Sequence, residues 1–130
     1  MGSVHDLEEL RRAELGRAVM EVLEAWGVGL EQAVTLLALP PGTRPRSLNR
    51  YRTGAPLPAQ AETLERGHCL LAIHRAAHTM YPHSPVAANF WVTTCNPYFN
   101  DRSPLDVMLE SGMPGIRWVM EHLDGTGPWG

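Results

Sequence analysis

Apolar positions recur at helical spacing along most of the chain and set out a series of helices separated by glycine and proline. Leu15, Ala18, Val19, Val22, Leu23 and Trp26 fall on one face, opposite Arg17, Glu21 and Glu24, and Gly27 ends the run. Leu30 to Leu39 predicts a second helix with Ala33, Leu36 and Leu37 inward. Pro40, Pro41 and Gly42 break it before a third begins near Pro45 and closes at Gly54. A long helix follows from Ala59 to Tyr81, with Cys69, Leu70, Ile73, Ala77 and Met80 on one face, and Pro82 stops it. A further helix or aromatic turn spans Val86 to Thr94. No stretch shows the sustained alternation of a strand, so the spacing predicts an all-α fold.

The last segment, Asn96 to Asp124, is the most legible. Ser103 can cap a helix, Pro104 suits its first position, and Asp106 sits where a capping-box carboxylate reaches back. Leu105, Met108 and Leu109 give that helix an apolar face before Gly112 stops it. Pro114 opens another, whose Ile116, Val119, Met120 and Leu123 fall at i, i+3, i+4 and i+7. The predicted architecture is a helix-turn-helix lobe packed on a long helix, followed by a C-terminal helical hairpin. Its parts are an extension over residues 1–14, the helix-turn-helix over 15–58, connecting and dimerising helices over 59–95, and the hairpin with its tail over 96–130.

Charge changes this picture locally. The net charge is -3 over 130 residues, with no lysine among the eleven basic residues. Residues 1–43 sum to -4, residues 44–75 to +4 and residues 76–130 to -3. A basic band between two acidic ones is the footprint of a local phosphate contact on a chain that is not basic overall. In the third helix, Leu48 and Tyr51 point to the core, Arg46, Asn49, Arg50 and Thr53 take the opposite face, and Ser47 and Arg52 flank. Arginine grips guanine bidentately and asparagine adenine, while Arg44 and Arg52 suit phosphates. The plain alternative is a solvated arginine face on a scaffold.

Aromatic residues gather late: six of the nine lie in the last 41 positions, at Phe90, Trp91, Tyr98, Phe99, Trp118 and Trp129. Most are expected in the core. Trp118 is the exception, about 200° from Ile116 on the wheel, beside Glu121 and His122. It is either a partner surface or covered by a neighbouring helix.

The order NPYF, a polar turn, PLDVML, glycine, and a helix ending in HLD resembles the C-terminal toxin-binding domain of Xre/MbcA/ParS-type antitoxins. PRSLNRYRTG, Pro45 to Gly54, is similar to the recognition helix of an Xre-type helix-turn-helix. Tyr51 stands where that family often has tryptophan, and an acidic extension precedes the first helix. The resemblance implies an antitoxin that binds a RES-domain, NAD-consuming toxin, represses its own operon by binding operator DNA, and works as a homodimer within a larger toxin–antitoxin complex. With the outward wheel position of Trp118, it directs attention to Tyr98, Phe99, Trp118, Glu121, His122 and Trp129 as toxin-facing, the last as a plug or anchor at the toxin cleft, or else part of a disordered end. The alternative is a free-standing transcriptional regulator whose hairpin only dimerises it.

Other chemistry finds little support. Cys69 and Cys95 are too few for a disulfide framework, and no run suits a signal peptide or a membrane span, so a reduced cytoplasm is the expected setting. His68, Cys69, His74, His78 and His83 are close in sequence, yet His68 and His78 share the polar face with Arg75, Cys69 points to the apolar side and His74 sits at a boundary. There is no nucleophile elbow, glycine-rich phosphate loop or framed carboxylate pair, so neither an enzyme nor a cofactor is expected.

Overall fold

The computed structural model describes residues 4–125, with side chains described from Asp6 on. Its regular elements are α1 (Val4–Ala25), α2 (Leu30–Leu36), a 3-10 turn (Pro45–Leu48) running into α3 (Asn49–Arg52), α4 (Ala61–Met80), α5 (Pro85–Thr93), a second 3-10 turn (Pro97–Phe99), α6 (Pro104–Ser111) and α7 (Met113–Gly125). The all-α expectation therefore holds, and among the described residues there is no strand, only an isolated bridge between Asn96 and Arg102. Among them, too, no helix is long and apolar enough to cross a membrane. The chain forms two compact units, the first ending at His68 and the second starting at Cys69, so α4 contributes to both.

In the first unit, α1 starts at Val4, ahead of the apolar repeat that predicts it. Its opening turns are rich in Leu, Glu, Arg and Ala, which favour helix without marking a buried face. Leu7 and Leu10 are accordingly exposed. The core gathers Val19, Leu23, Trp26, Leu36, Leu37, Leu48 and Leu57.

The second helix ends at Leu36 rather than Leu39. Ala38 takes a left-handed conformation at φ 50°. The Leu39 amide donates to the Val34 carbonyl at 3.2 Å and the Ala38 amide to that of Thr35 at 3.1 Å. This is a Schellman ending with alanine where glycine is usual. Two buried residues of α4 sustain it. Thr63 Oγ1 donates to the Ala38 carbonyl at 3.1 Å, and the Arg66 guanidinium reaches the Thr35 and Leu36 carbonyls at 3.4 Å each. Arg66 also meets Glu62 at 3.1 Å. A cation on the last carbonyls of a helix complements its dipole, so within this unit the start of α4 closes α2.

The second unit is built on the helical hairpin. Ser103 Oγ accepts the Asp106 amide at 3.0 Å, Pro104 stands first in α6, and Gly112 ends it at φ 63°. Ile116, Val119 and Leu123 are buried as their spacing requires. The α6–α7 approach is close enough that a Cβ on Gly115 would lie 2.4 Å from the Val107 carbonyl oxygen. Ser84 caps α5 through the Ala87 amide at 3.1 Å, and Ala88 and Val92 turn inward.

Candidate functional site

Two groups of side chains, one in each unit, carry features beyond scaffold. The first surrounds α3. The third helix of the sequence forms as a 3-10 turn continued by a single α turn, which Pro45 opens. Leu48 and Tyr51 are buried, while Arg44, Arg46, Asn49, Arg50, Arg52 and Thr53 are exposed and Ser47 is half-buried. Local hydrogen bonds fix the backbone under this row. Ser47 Oγ donates to the Arg44 carbonyl at 2.6 Å, Arg50 Nε to the Ser47 carbonyl at 3.2 Å, and Thr53 Oγ1 to the Arg50 carbonyl at 3.0 Å. The hydroxyls of Ser47 and Thr53 thus spend their protons on the backbone.

The basic band is thinner than its sequence sum. Arg52 is paired at 2.5 Å with Glu24 near the end of α1. Arg66 is buried against α2. Arg44, Arg46 and Arg50 remain as the exposed cations of the row. Neither pairing has a signature in local spacing, because the partners lie 28 and about 30 residues away.

The second group is a ring cluster. The loop from Asn96 to Arg102 is folded back on itself, with the Asn96 amide donating to the Arg102 carbonyl at 3.1 Å. Asn96 Oδ1 accepts the Tyr98 amide at 2.9 Å, and Asn100 and Asp101 both take left-handed backbone, a conformation these two residue types tolerate. Arg102 anchors the exit through Glu110 of α6 at 2.5 Å. The turn separates the two rings of the NPYF segment: Tyr98 points out and Phe99 is fully buried.

Around Phe99 the rings meet edge to face or tilted. Trp118 of α7 lies 4.9 Å from it, His122 5.2 Å, Tyr98 5.0 Å and Trp91 of α5 6.5 Å, centroid to centroid. Tyr98 in turn covers His122 at 4.0 Å and Trp118 at 6.0 Å, and Trp91 stacks parallel to His122 at 6.0 Å. Burial lowers the His122 pKa below the usual 6.5, which favours the neutral imidazole.

The structure therefore brings Tyr98, Phe99, Trp118 and His122 together, with Glu121 exposed beside them. Phe99 is the floor of the cluster, out of direct reach of a partner. Trp118 is half-buried because the NPYF turn covers part of it. Trp91 belongs to the cluster but stands apart from the others in sequence, with only its aromatic character to suggest it. Trp129 lies outside the described residues.

The histidines take another role. The rings of His74 and His78 of α4 lie 4.2 Å apart, tilted by 47°, and His78 Nε2 pairs with Asn89 Oδ1 at 3.2 Å. Burial, and then the neighbouring His78, hold the His74 pKa below 6.5. Among the described residues no three His, Cys, Asp or Glu side chains gather at metal-binding distances.

Residues 76–126 match the antitoxin Xre/MbcA/ParS C-terminal toxin-binding domain. The matched stretch starts inside α4 and takes in α5, α6 and α7. It supports an Xre/MbcA/ParS-type antitoxin, with a toxin as the partner of this segment. No curated protein matches the chain.

Proposed function

We propose that this chain neutralises a RES-type, NAD-consuming toxin by direct binding through its second unit and represses its own operon through the row on α3. Work is done by occupancy, with no turnover. The observation that carries the first half is the half-exposed ring cluster of Tyr98, Trp118 and His122 inside a segment that matches a toxin-binding domain. Aromatic side chains of this kind, rigid and apolar with a polar edge, are favoured anchors at protein interfaces.

The second half is supported by the exposed Arg44, Arg46, Asn49 and Arg50 above the buried Leu48 and Tyr51. A short reading element with three cations gives weak binding alone, so a homodimer on two half-sites is part of the proposal. Changing Arg46 and Arg50 together to alanine is expected to abolish promoter binding in a mobility-shift assay and to leave rescue from the co-expressed toxin intact. Loss of both activities would show that the two halves do not reside on separate faces.

A further inference from the structure

Helix α5 turns apolar side chains to solvent as well as to the core. From Ala76 to Asn100 the sequence contains no Asp, Glu, Lys or Arg. Within this run, Ala88 and Val92 form the buried face of α5, while Val86 and Phe90, one turn apart, are 78% and 66% exposed. Nothing in the helix requires apolar residues there, because its own packing is met by the opposite face. The flanking Thr93 and Thr94 are exposed too, and both hydroxyls donate to the Phe90 carbonyl, at 3.2 and 2.6 Å. Their polar atoms are thus turned back to the backbone. Tyr81 before the helix and Tyr98 after it are 38% and 52% exposed. Isolated exposed apolar residues are ordinary, but a helix face without a charge in reach of its own segment is not.

We infer that Val86 and Phe90 are the apolar anchors by which this chain holds its toxin, and that they enter an uncharged, apolar recess on that protein. The inference rests on the toxin-binding reading above and moves its centre from α7 toward α5. Continuity favours this occupant. Trp91, next to Phe90, stacks on His122 and meets Phe99, so α5 carries the anchors on the same short helix that helps build the ring cluster. Area argues against a second copy of the chain. Val86, Phe90, Tyr81 and Tyr98 together present on the order of 400 Å², whereas a stable symmetric pair needs about 800 Å² from each side. A toxin that also covers the half-buried Trp118 and His122 adds to that area.

The test uses the full-length chain and the toxin encoded by the neighbouring open reading frame, titrated by calorimetry. Val86→Ser and Phe90→Ser, separately, should each weaken toxin binding at least tenfold, with melting temperature unchanged because both side chains are exposed. The wild-type Kd should change less than twofold between about 0.1 and 0.5 M salt, since no charge pair is screened. Trp118→Ala serves as the comparison. Unchanged affinity in both α5 variants, with loss in Trp118→Ala, would overturn the inference and leave the toxin-binding reading standing. Failure of the wild-type chain to bind the toxin would remove both. Light scattering settles the rival occupant: a variant that dissociates a dimer and keeps its toxin affinity assigns α5 to self-association and overturns the proposal.

Discussion

Replacing Gly115 with alanine is expected to destabilise the second unit, against the ordinary helix preference for alanine. The added Cβ would lie 2.4 Å from the Val107 carbonyl oxygen, 3.1 Å from its carbon and 3.0 Å from Ser111 Cβ. The nearest obstacle is backbone within α6, pinned at one end by the Ser103 cap and at the other by Gly112. It cannot swing aside as a side-chain terminus would, so the hairpin must open. Overpacking of this kind costs about 1–3 kcal/mol, and alanine returns up to about 1 kcal/mol of helix propensity. The clash sits at the severe end, leaving a net loss of about 1–2 kcal/mol and a fall in melting temperature of roughly 3–10 °C for a chain this size. Gly67→Ala is the internal control: its Cβ would meet only the ends of Leu15 and Val19, at 3.3 and 3.4 Å, which can shift. Thermal melts by circular dichroism compare the two. A Gly115→Ala chain as stable as wild type, or less affected than Gly67→Ala, would refute the steric account.

Two other outcomes follow from charge. Glu24→Gln releases Arg52 from its 2.5 Å pair, so operator affinity should rise and the slope of log K against log salt should steepen by about 0.9 for each site engaged. An unchanged slope in a salt titration would mean that Arg52 does not turn to phosphate. Stability should fall on acidification. His74 and His122 both have pKa values below 6.5 in the fold, so the unfolded chain takes up protons more readily below that pH and is favoured there. Melting temperature should therefore drop between pH 7.5 and 5.0, and the double variant His74→Gln, His122→Gln should flatten the drop. A flat or rising wild-type profile would contradict this sign.

What could be read from sequence divides along a physical line. Ser103, Pro104 and Gly112 act on neighbours within a few residues, and their cap, first turn and stop appear where the letters put them. The buried stripe of Ile116, Val119 and Leu123 was legible for the same reason, as was the pairing of buried Leu48 and Tyr51 with an exposed row. The misreadings arise where distant residues decide. Alanine gives no hint of a helix stop, and Ala38 ends α2 with Thr63 and Arg66 of another helix holding its carbonyl ends. Adjacent aromatics look alike in a string, yet the Asn96 turn sends Tyr98 outward and Phe99 inward. Gly115 reads as an ordinary helix residue until α6 is placed against it.

The same distinction bears on how DNA binding should work in this chain. Summed over residues 44–75 the charge is +4, which would suggest a strongly basic surface. Burial of Arg66 and the pairing of Arg52 withdraw two of those cations by contacts that the sum cannot register. Under the proposed operator binding, Arg44, Arg46 and Arg50, the exposed arginines outside that pair, would engage about three phosphates or base edges, for a salt slope near -3 per protomer. Neighbouring residues 1–43 carry -4, and this acidic surround opposes nonspecific association. If the chain reads DNA as proposed, discrimination would benefit twice: the nonspecific background would be low, and useful affinity would be reached only when two protomers engage two half-sites together. In that proposal the Glu24–Arg52 pair would restrain the affinity of each half-site and leave repression to depend on dimer concentration.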